Sequence, residues 1–286
     1  MTVQDRISGS YADLSDKLRV AAKFVSENPA EIATRSLRSV AQSSGVSPAT
    51  FSRLARALGY RDYEQLREEG RLVVERQMSP FSERAAKLRA QAGKEQGRAL
   101  LEHQSAACIA NVEKLVASVN RDALERAVRQ IDEAKTVLLV GSMGSAGVID
   151  YLGYMGQWFK QNWKVAGRNG IELSATLSWI NEGDVVVGLV KAPYARRTVA
   201  ALKAAQDRGA KTVVISDSPT SPALQFANHS FIVATQSPQF FSSYAATLVL
   251  LETIISMLIA RAGPDAEEQI RAAEQTIERL GENWTP

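Results

Sequence analysis

Small polar residues and arginines cluster between residues 38 and 56, and their types suit hydrogen bonding to nucleic acid. An arginine can bind a guanine edge or a phosphate, and a hydroxyl group can donate to or accept from a base edge. From Thr34 to Arg61 the chain has five arginines and no acidic residue, so this stretch favours a polyanionic partner. The candidate DNA contacts are Arg38, Ser47, Pro48, Ala49, Thr50, Ser52, Arg53 and Arg56.

A second group of glycines, hydroxyls and cations follows three short apolar runs and suits the binding of a small anion. Glycine lets a backbone approach a ligand closely, and the free N–H groups at a helix start attract negative charge. Arginine can hold a carboxylate or phosphate through two parallel hydrogen bonds. The alternative is that the glycines only turn the chain and the cations only cover the next helix. The candidate ligand contacts are Ser142, Gly144, Ser145, Lys191, Tyr194, Arg196, Arg197, Ser216 and Ser218.

No catalytic or metal-binding set is visible in the sequence. The single cysteine, Cys108, excludes an internal disulfide, and the two histidines, His103 and His229, lie far apart in sequence. Zinc sites and nucleophilic catalysis both need such residues in defined groups. We therefore predict a protein that is not an enzyme and that uses no metal and no other cofactor.

Two short helices are predicted to position the first group. Apolar residues at helical spacing end at Gly45, and Ser47-Pro48 then starts a second helix, because the serine can cap it and proline fits its first position. The second helix is predicted to end at Gly59. Its buried stripe is predicted to be Phe51, Leu54, Ala55 and Leu58. Its outer face is predicted to be Ala49, Thr50, Ser52, Arg53 and Arg56.

This pattern is that of a helix-turn-helix, whose second helix enters the DNA major groove. The alternative is an ordinary helical hairpin with a solvated basic face. A helix predicted over Tyr11–Glu27 would pack beneath the pair, and Tyr63 and Leu66 continue the helical pattern beyond it. The N-terminal part is therefore predicted to be all helical.

A parallel sheet is predicted to position the second group. Short β-branched runs alternate with helical segments from Lys135 onward, which is typical of a parallel sheet covered by helices on both faces. The runs are VLLVG, a weaker candidate at Lys164-Val165, DVVVGLV, KTVVISDS and HSFIV. The loops after Val140, Val190 and Ser216 should meet at the carboxyl edge of the sheet, where open sheets bind ligands.

Length and composition are those of a two-domain globular protein. The 286 residues include 45% hydrophobic and 23% charged residues, with a formal net charge of +3. The apolar stretch from Tyr244 to Ala260 contains Glu252 and is predicted to be a buried helix, so we expect no membrane partner and a cytoplasmic location. The helix is predicted to break near Met78-Ser79-Pro80, and Ala85 to Gly97 is predicted to belong to a linker. The chain is predicted to divide into four parts. These are a first domain at residues 1–78, a linker and connecting helix at 79–120, a second domain at 121–263, and a helical tail at 264–286.

The order of these parts resembles the RpiR-type transcriptional regulators of bacteria, from about Tyr11 to Arg261. The resemblance rests on SVAQSSGVSPATFSRLARALGY, on the preceding LSDKLRVAAKFVSENPAEIA, and on an α/β domain that follows. It implies an α/β class chain with an all-α helix-turn-helix domain, followed by a five-stranded parallel-sheet α/β/α SIS (sugar isomerase) domain. Double-stranded operator DNA, a small anionic metabolite such as a phosphosugar, and a second copy in a homodimer or homotetramer are the implied partners.

The ligand loops depart from the family pattern. The family's first loop is usually G-x-G-x-S, and here Met143 replaces the second glycine while Ser145 is kept. The second loop is usually S-x-S-G-x-T, and its four defining places are Val190, Ala192, Pro193 and Ala195. Beyond the sheet, Ser221-Pro222-Ala223-Leu224 and Ala227-Asn228 resemble the family's S-P-L-A…A-D stretch.

Two other functions remain as alternatives. One is a phosphosugar isomerase with a helical extension, which would need a base beside a phosphate grip. The other is a dinucleotide-binding domain, since Gly141, Gly144 and Gly147 follow a predicted strand, although the usual fingerprint needs glycine at position 143.

Overall fold

The computed structural model describes residues 3–78, 80–92, 97–168, 172–219 and 221–284. The chain divides into two compact units, residues 1–87 and residues 88–286. The first unit is helical, and the second is built on a sheet, as the sequence predicts.

The N-terminal unit is built from short helices around one apolar core. They are α1 Val3–Ser10, α2 Asp16–Glu27, α3 Pro29–Thr34, α4 Leu37–Ser44, α5 Pro48–Ala57 and α6 Tyr63–Met78. The sequence did not predict α1 or α3, and residues 11–13 form a 3-10 turn that the sequence placed within α2. A further helix, α7 (Phe81–Ala92), spans the boundary between the units.

Phe51 lies at the centre of the helical core with no exposed surface. Its ring makes edge contacts with Phe24 and Tyr63, each with 6.1 Å between ring centroids. The predicted stripe of α5 is buried throughout, and so are Ala21, Ala22 and Val25 of α2. Helix α5 is therefore fixed by packing, and its other face is left for solvent or a partner.

The second unit begins with two helices and continues as alternating strands and helices. The helices are α8 Gly97–Ser118, α9 Arg121–Asp132, α10 Ala146–Gly156, α11 Leu173–Ser178, α12 Arg196–Asp207, α13 Ala245–Ala262 and α14 Pro264–Leu280. The strands are β1 Val137–Gly141, β2 Trp163–Val165, β3 Val185–Val190, β4 Lys211–Ser216 and β5 His229–Ile232. All four neighbouring pairs are parallel, in the order β2-β1-β3-β4-β5.

Two separate apolar clusters cover the two faces of the sheet. One joins Leu139, Val187 and Ile215 to helices α9, α10 and α13. The other joins Leu138 and Val186 to α12 and to the loops beyond the sheet. The unit is therefore a three-layer α/β/α sandwich.

Helix α8 belongs to this sandwich, because Leu115 is buried in the first sheet cluster and Val112 packs against it. The sequence assigned α8 to a connecting segment. The apolar helix α13 is long and apolar enough to cross a membrane, but it packs into the same cluster through Leu250, Leu251 and Ile254. The helix is therefore buried along one face, whereas Val249, Glu252 and Ser256 are exposed, so the prediction of a buried helix holds for one face only.

Strand order reverses at β1, which lies between β2 and β3. The loops after β1 and β3 therefore diverge from adjacent strands at the carboxyl edge of the sheet, which is where a ligand crevice forms in such folds.

Candidate functional site

The turn between α4 and α5 is built by local signals. The Ser36 hydroxyl accepts a hydrogen bond from the Ser39 N–H at 3.3 Å, and Gly45 ends α4 with a φ of 67°. Ser47 caps α5 by accepting from the Thr50 N–H at 3.3 Å, and Pro48 takes the first helical position. Left-handed backbone at Gly45 favours glycine, so the turn follows from the sequence.

The exposed face of α5 carries most of the predicted DNA contacts. Ser47, Pro48, Ala49, Arg53 and Arg56 are exposed, Ser52 is half-buried, and Arg38 is exposed on α4. The Ser52 hydroxyl donates to the Pro48 carbonyl at 3.2 Å. Small side chains at the start of this helix allow it to approach a groove closely.

Thr50 does not belong to this face. It is 4% exposed, and its hydroxyl lies 2.9 Å from the Ser47 hydroxyl and 3.4 Å from Nη2 of Arg53. The prediction of an exposed Thr50 was wrong, because position 50 lies one helical turn before Leu54 on the buried stripe. Thr50 instead helps to hold the cap and the Arg53 side chain.

Acidic residues just outside the arginine-rich stretch pair with two of its arginines. Arg35 lies 3.1 Å from Glu31, and Arg61 lies 2.9 Å from Asp62. Among the described residues, no ion pair involves the other three arginines of that stretch. These three are Arg38, Arg53 and Arg56. Within this stretch, the charge without an ion-pair partner therefore lies on α4 and on the outer face of α5.

In the second unit, the first loop is tied to the start of α12 and to α13. The Ser142 hydroxyl accepts from the Thr198 hydroxyl at 3.0 Å, and Thr198 is completely buried. The Ser145 hydroxyl, 4% exposed, lies 3.2 Å from the Tyr244 hydroxyl. The sequence predicted both serines but neither partner, since each partner comes from a distant element without a motif.

Lys191 is a buried cation instead of a surface cation of the second loop. It is 6% exposed, and its Nζ donates to Thr247 Oγ1 at 2.6 Å and to the Ser243 carbonyl at 3.3 Å. Nζ also lies 4.0 Å from the centre of the Tyr244 ring. Burial lowers the pKa of Lys191 to about 7, and the nearby Asp217 opposes this change.

Asp217 was not predicted from the sequence, and its negative charge acts on Lys191. Its Oδ2 accepts from the Ala192 N–H at 3.1 Å, and the Tyr194 hydroxyl also bonds to its carboxylate. Burial raises the pKa of Asp217, and the Ala192 N–H opposes this rise more than Lys191 does. Tyr194, which was predicted to contact the ligand, is half-buried and instead bonds to Asp217.

Of the remaining predicted ligand residues, the two serines are buried and the two arginines are exposed. Ser216 is the last residue of β4 instead of a loop residue, is fully buried, and donates to the Val190 carbonyl at 2.7 Å. Ser218 is 3% exposed. Arg196 and Arg197 are exposed at the start of α12. The Arg197 side chain extends to Gly167, because a Cβ added at Gly167 would lie 3.1 Å from Nη2 of Arg197.

The segment before α13 packs against one side of the first loop. A Cβ added at Gly144 would lie 2.6 Å from Cε1 of Phe241, so the ring rests on the glycine backbone. Tyr244, which bonds to Ser145, lies three residues further along. A larger residue at position 144 would require the Phe241 ring to shift, and the backbone that was predicted to meet an anion contacts this ring on one side and is exposed on the other.

No cluster of three or more His, Cys, Asp or Glu side chains suited to a metal occurs in the part of the chain that the structure describes. His229 lies in β5, where its Nε2 is 2.9 Å from Gln130 Oε1. A groove of about 410 Å³ lies between residues 157–161 and α14. Residues 157–161 precede β2, so this groove lies away from the carboxyl ends of the strands and from the loops described above.

The two units match two described families. Residues 1–71 match the helix-turn-helix domain of the rpiR family, and residues 130–257 match the SIS domain. A protein from Haemophilus influenzae named as an uncharacterized HTH-type transcriptional regulator is 22% identical over 276 residues, which cover 94% of this chain and 92% of that protein.

Solved structures agree with the fold. The sugar isomerase domain of an RpiR transcription factor from Sphaerobacter thermophilus is 27% identical with a TM-score of 0.59, covering 62% of this chain and 98% of that one. NanR of Vibrio vulnificus, solved with ManNAc-6P, is 18% identical with a TM-score of 0.56, covering 98% of this chain and 99% of that one.

These matches define a helix-turn-helix domain followed by a SIS domain, which is the composition of a transcriptional regulator. The chain belongs to the RpiR-type regulators. The family named from the sequence and the predicted fold class are confirmed.

Proposed function

We propose that this regulator reads double-stranded operator DNA with α5, and that its SIS domain binds a small anionic metabolite that changes operator affinity. The observation that carries the first part is the exposed, uncompensated charge of Arg38, Arg53 and Arg56 beside small residues at the helix start. Arginines suit phosphates and guanine edges, and small residues let a helix enter the major groove.

The second part of the proposal is supported by the first loop and by nearby cations. Ser142 and Ser145 follow β1 at the strand-order reversal, and Arg196 and Arg197 are exposed at the start of α12. The NanR relative was solved with ManNAc-6P, which supports a sugar phosphate as one ligand class. The hydroxyls that the family uses in its second loop are absent here, which favours a sugar acid or a related carboxylate.

The same proposal includes self-association and a cytoplasmic location. One recognition helix buries too little surface for tight binding, so two copies reading an inverted repeat are expected. The proposed assembly is a homodimer or homotetramer without a membrane partner.

DNA binding is tested by selecting duplexes from a random pool with purified protein and measuring affinity by fluorescence anisotropy. The expected result is an enriched inverted repeat that binds more tightly than either half alone. Enrichment of no sequence, or equal affinity for a single half-site, would contradict the proposed reading mode.

Ligand binding is tested by calorimetry with ManNAc-6P, with glucose 6-phosphate, and with the sugar acids gluconate and glucuronate. We expect the sugar acids to bind more tightly than the phosphates, and Ser145→Ala and Arg196→Ala to weaken binding. The bound ligand should shift operator affinity by about 1–3 kcal/mol. Tight binding of a sugar phosphate that neither substitution affects would place the site elsewhere.

An isomerase function is the second candidate, and it is favoured by one observation. Lys191 and Asp217 have shifted pKa values at the carboxyl edge of the sheet, a property common among catalytic groups. Both are nevertheless anchored by hydrogen bonds to the protein itself. Turnover of aldose or ketose phosphates by the purified chain would favour the enzyme, and its absence would support the regulator alone.

A further inference from the structure

Residues 235–244, which we call the strap, join β5 to α13 and are fixed on one side to α8. Asn111 of α8 is completely buried, and its side chain donates from Nδ2 to the Gln236 carbonyl at 2.7 Å. Its Oδ1 accepts from the Gln236 N–H at 3.1 Å. Two bonds from one amide to one backbone residue fix the strap in position and orientation.

Two further residues of α8 face the strap. Gln104 Oε1 accepts from the Ser237 hydroxyl at 3.3 Å, and Cys108 Sγ lies 3.6 Å from the Ser243 hydroxyl. Positions 104, 108 and 111 lie on one face of a helix, since they are separated by four and three residues. This face of α8 therefore contacts both ends of the strap.

The opposite side of the strap contacts the candidate ligand site. Phe241 rests on Gly144, and the Tyr244 hydroxyl lies 3.2 Å from the Ser145 hydroxyl. The Ser243 carbonyl accepts from buried Lys191 at 3.3 Å. An anion that approaches Gly144 from this side must displace the Phe241 ring, whereas the other side of Gly144 is exposed.

The strap is a closed loop, so its two sides cannot move independently. The Ser243 N–H donates to the Thr235 carbonyl at 3.1 Å, which brings the two ends of the loop together. Compact loops with close ends move as one body when they open. A displacement at Gly144 is therefore transmitted to the contacts with Asn111 and Cys108.

We propose that Asn111 is a positioning residue, which holds the strap over the first loop and couples the candidate ligand site to α8. This inference rests on the proposed ligand site at Ser142–Ser145. In the chain, α8 is the first helix of the SIS unit after α7, which spans the boundary with the DNA-binding unit. A ligand that opens the strap thus acts on the helix through which the chain enters this unit.

The test uses Cys108, the single cysteine of the chain, in the full-length protein without DNA or ligand. Cys108 is half-buried and its Sγ lies beside Ser243 of the strap, so its reaction with 5,5′-dithiobis(2-nitrobenzoate) should become faster when the strap leaves α8. Asn111→Ala removes two hydrogen bonds and should raise the reaction rate on the order of tenfold. Between the strap and α8, Ser237→Ala removes only the hydrogen bond to Gln104 and should give a smaller increase, which provides a milder variant if the first folds poorly.

The matched control is Asn162→Ala. Asn162 also donates to backbone carbonyls, of Ala134 at 2.8 Å and Lys135 at 3.3 Å, but it precedes β2 and does not contact the strap. This variant should lose comparable stability and leave the thiol rate unchanged. If Asn111→Ala raises the rate no more than Asn162→Ala does, Asn111 has only a structural role and the inference is overturned.

Coupling is tested from the ligand side with Phe241→Ala. This substitution should also raise the Cys108 rate, although residue 241 faces Gly144. The double variant should react within about threefold of the faster single variant, because both substitutions release the same segment. Multiplied effects, or no effect of Phe241→Ala, would contradict the coupling. These outcomes involve neither DNA nor ligand, so they are independent of the binding experiments that test the proposed function.

Discussion

Helix α5 and the loops at the carboxyl edge of the sheet both present cations, but they do so in opposite ways. Arg53 and Arg56 are exposed on a helix whose other face is fully packed. Lys191 is buried with its Nζ bonded to Thr247, and Phe241 rests on Gly144 of the first loop. The arginines of the DNA surface are therefore exposed to a partner, whereas Lys191 is held inside the protein and Phe241 lies against one side of the first loop.

The difference follows from what each partner requires. DNA presents a large, regular polyanion, so an exposed rigid helix can meet it without rearrangement. A small metabolite can change the state of a protein only by binding one conformation better than another. A segment that either packs against the first loop or leaves it provides two such conformations, and a rigid exposed helix does not.

The largest effect is expected when the core of the helical unit is emptied and the SIS unit is left intact. Phe51→Ala should destabilise the helical unit by about 3–5 kcal/mol, because it empties the centre of a packed core. The SIS unit has its own clusters and should keep its unfolding temperature in differential scanning calorimetry. Leu139→Ala is the matched control in the sheet core and should give the reverse result. A single shared transition that both substitutions lower would show that the two units fold as one.

The second prediction concerns the exposed arginines. Arg53→Ala and Arg56→Ala should each weaken operator binding by about 1–3 kcal/mol if the side chain reads a base, or lower the salt slope by about 1 if it contacts a phosphate. Arg61→Ala serves as control, because Arg61 is paired with Asp62. Anisotropy titrations at several salt concentrations separate the two cases. Equal losses for all three variants would mean that net charge alone determines affinity.

The third prediction concerns the buried lysine. Its pKa is about 7 in the folded protein and 10.5 in a model peptide, so the unfolded chain binds more protons between these values. The free energy of unfolding should therefore rise with pH from 7 to 9.5, by up to about 1.4 kcal/mol per pH unit. Lys191→Met should remove this rise, and Lys203→Met on the surface of α12 should keep it. Urea unfolding at each pH measures the slope, and an unchanged slope in Lys191→Met would show that the amine is solvated.

The smallest effect is expected at Thr50. Thr50→Val removes the hydroxyl that lies between Ser47 and Arg53, and it should reduce operator affinity by less than about 1 kcal/mol. Thr50→Ser keeps the hydroxyl and is the control. If Thr50→Val reduces operator affinity as much as Arg53→Ala does, Thr50 contacts a base after all.

The sequence predicted the helix-turn-helix well because its signals are local. Gly45, Ser47 and Pro48 each act within four residues, and helical periodicity identified the buried stripe of α5. Thr50 could have been placed correctly by the same periodicity, since it lies four residues before Leu54.

The ligand site was predicted less well because its contacts are distant in sequence. Lys191 bonds to a residue 56 positions away, and Ser145 bonds to one 99 positions away. A loop cation has no local property that distinguishes burial from exposure. Phe241 carries no motif, so nothing in the sequence indicated that it would cover Gly144.

The separation of the cores has an evolutionary consequence. Ala49, Arg53 and Arg56 contribute nothing to the apolar cluster of the helical unit, and that cluster is distinct from those on the sheet. Substitutions on the outer face of α5 should therefore be nearly neutral for folding. After gene duplication, operator preference can drift among paralogues while the metabolite response is inherited unchanged.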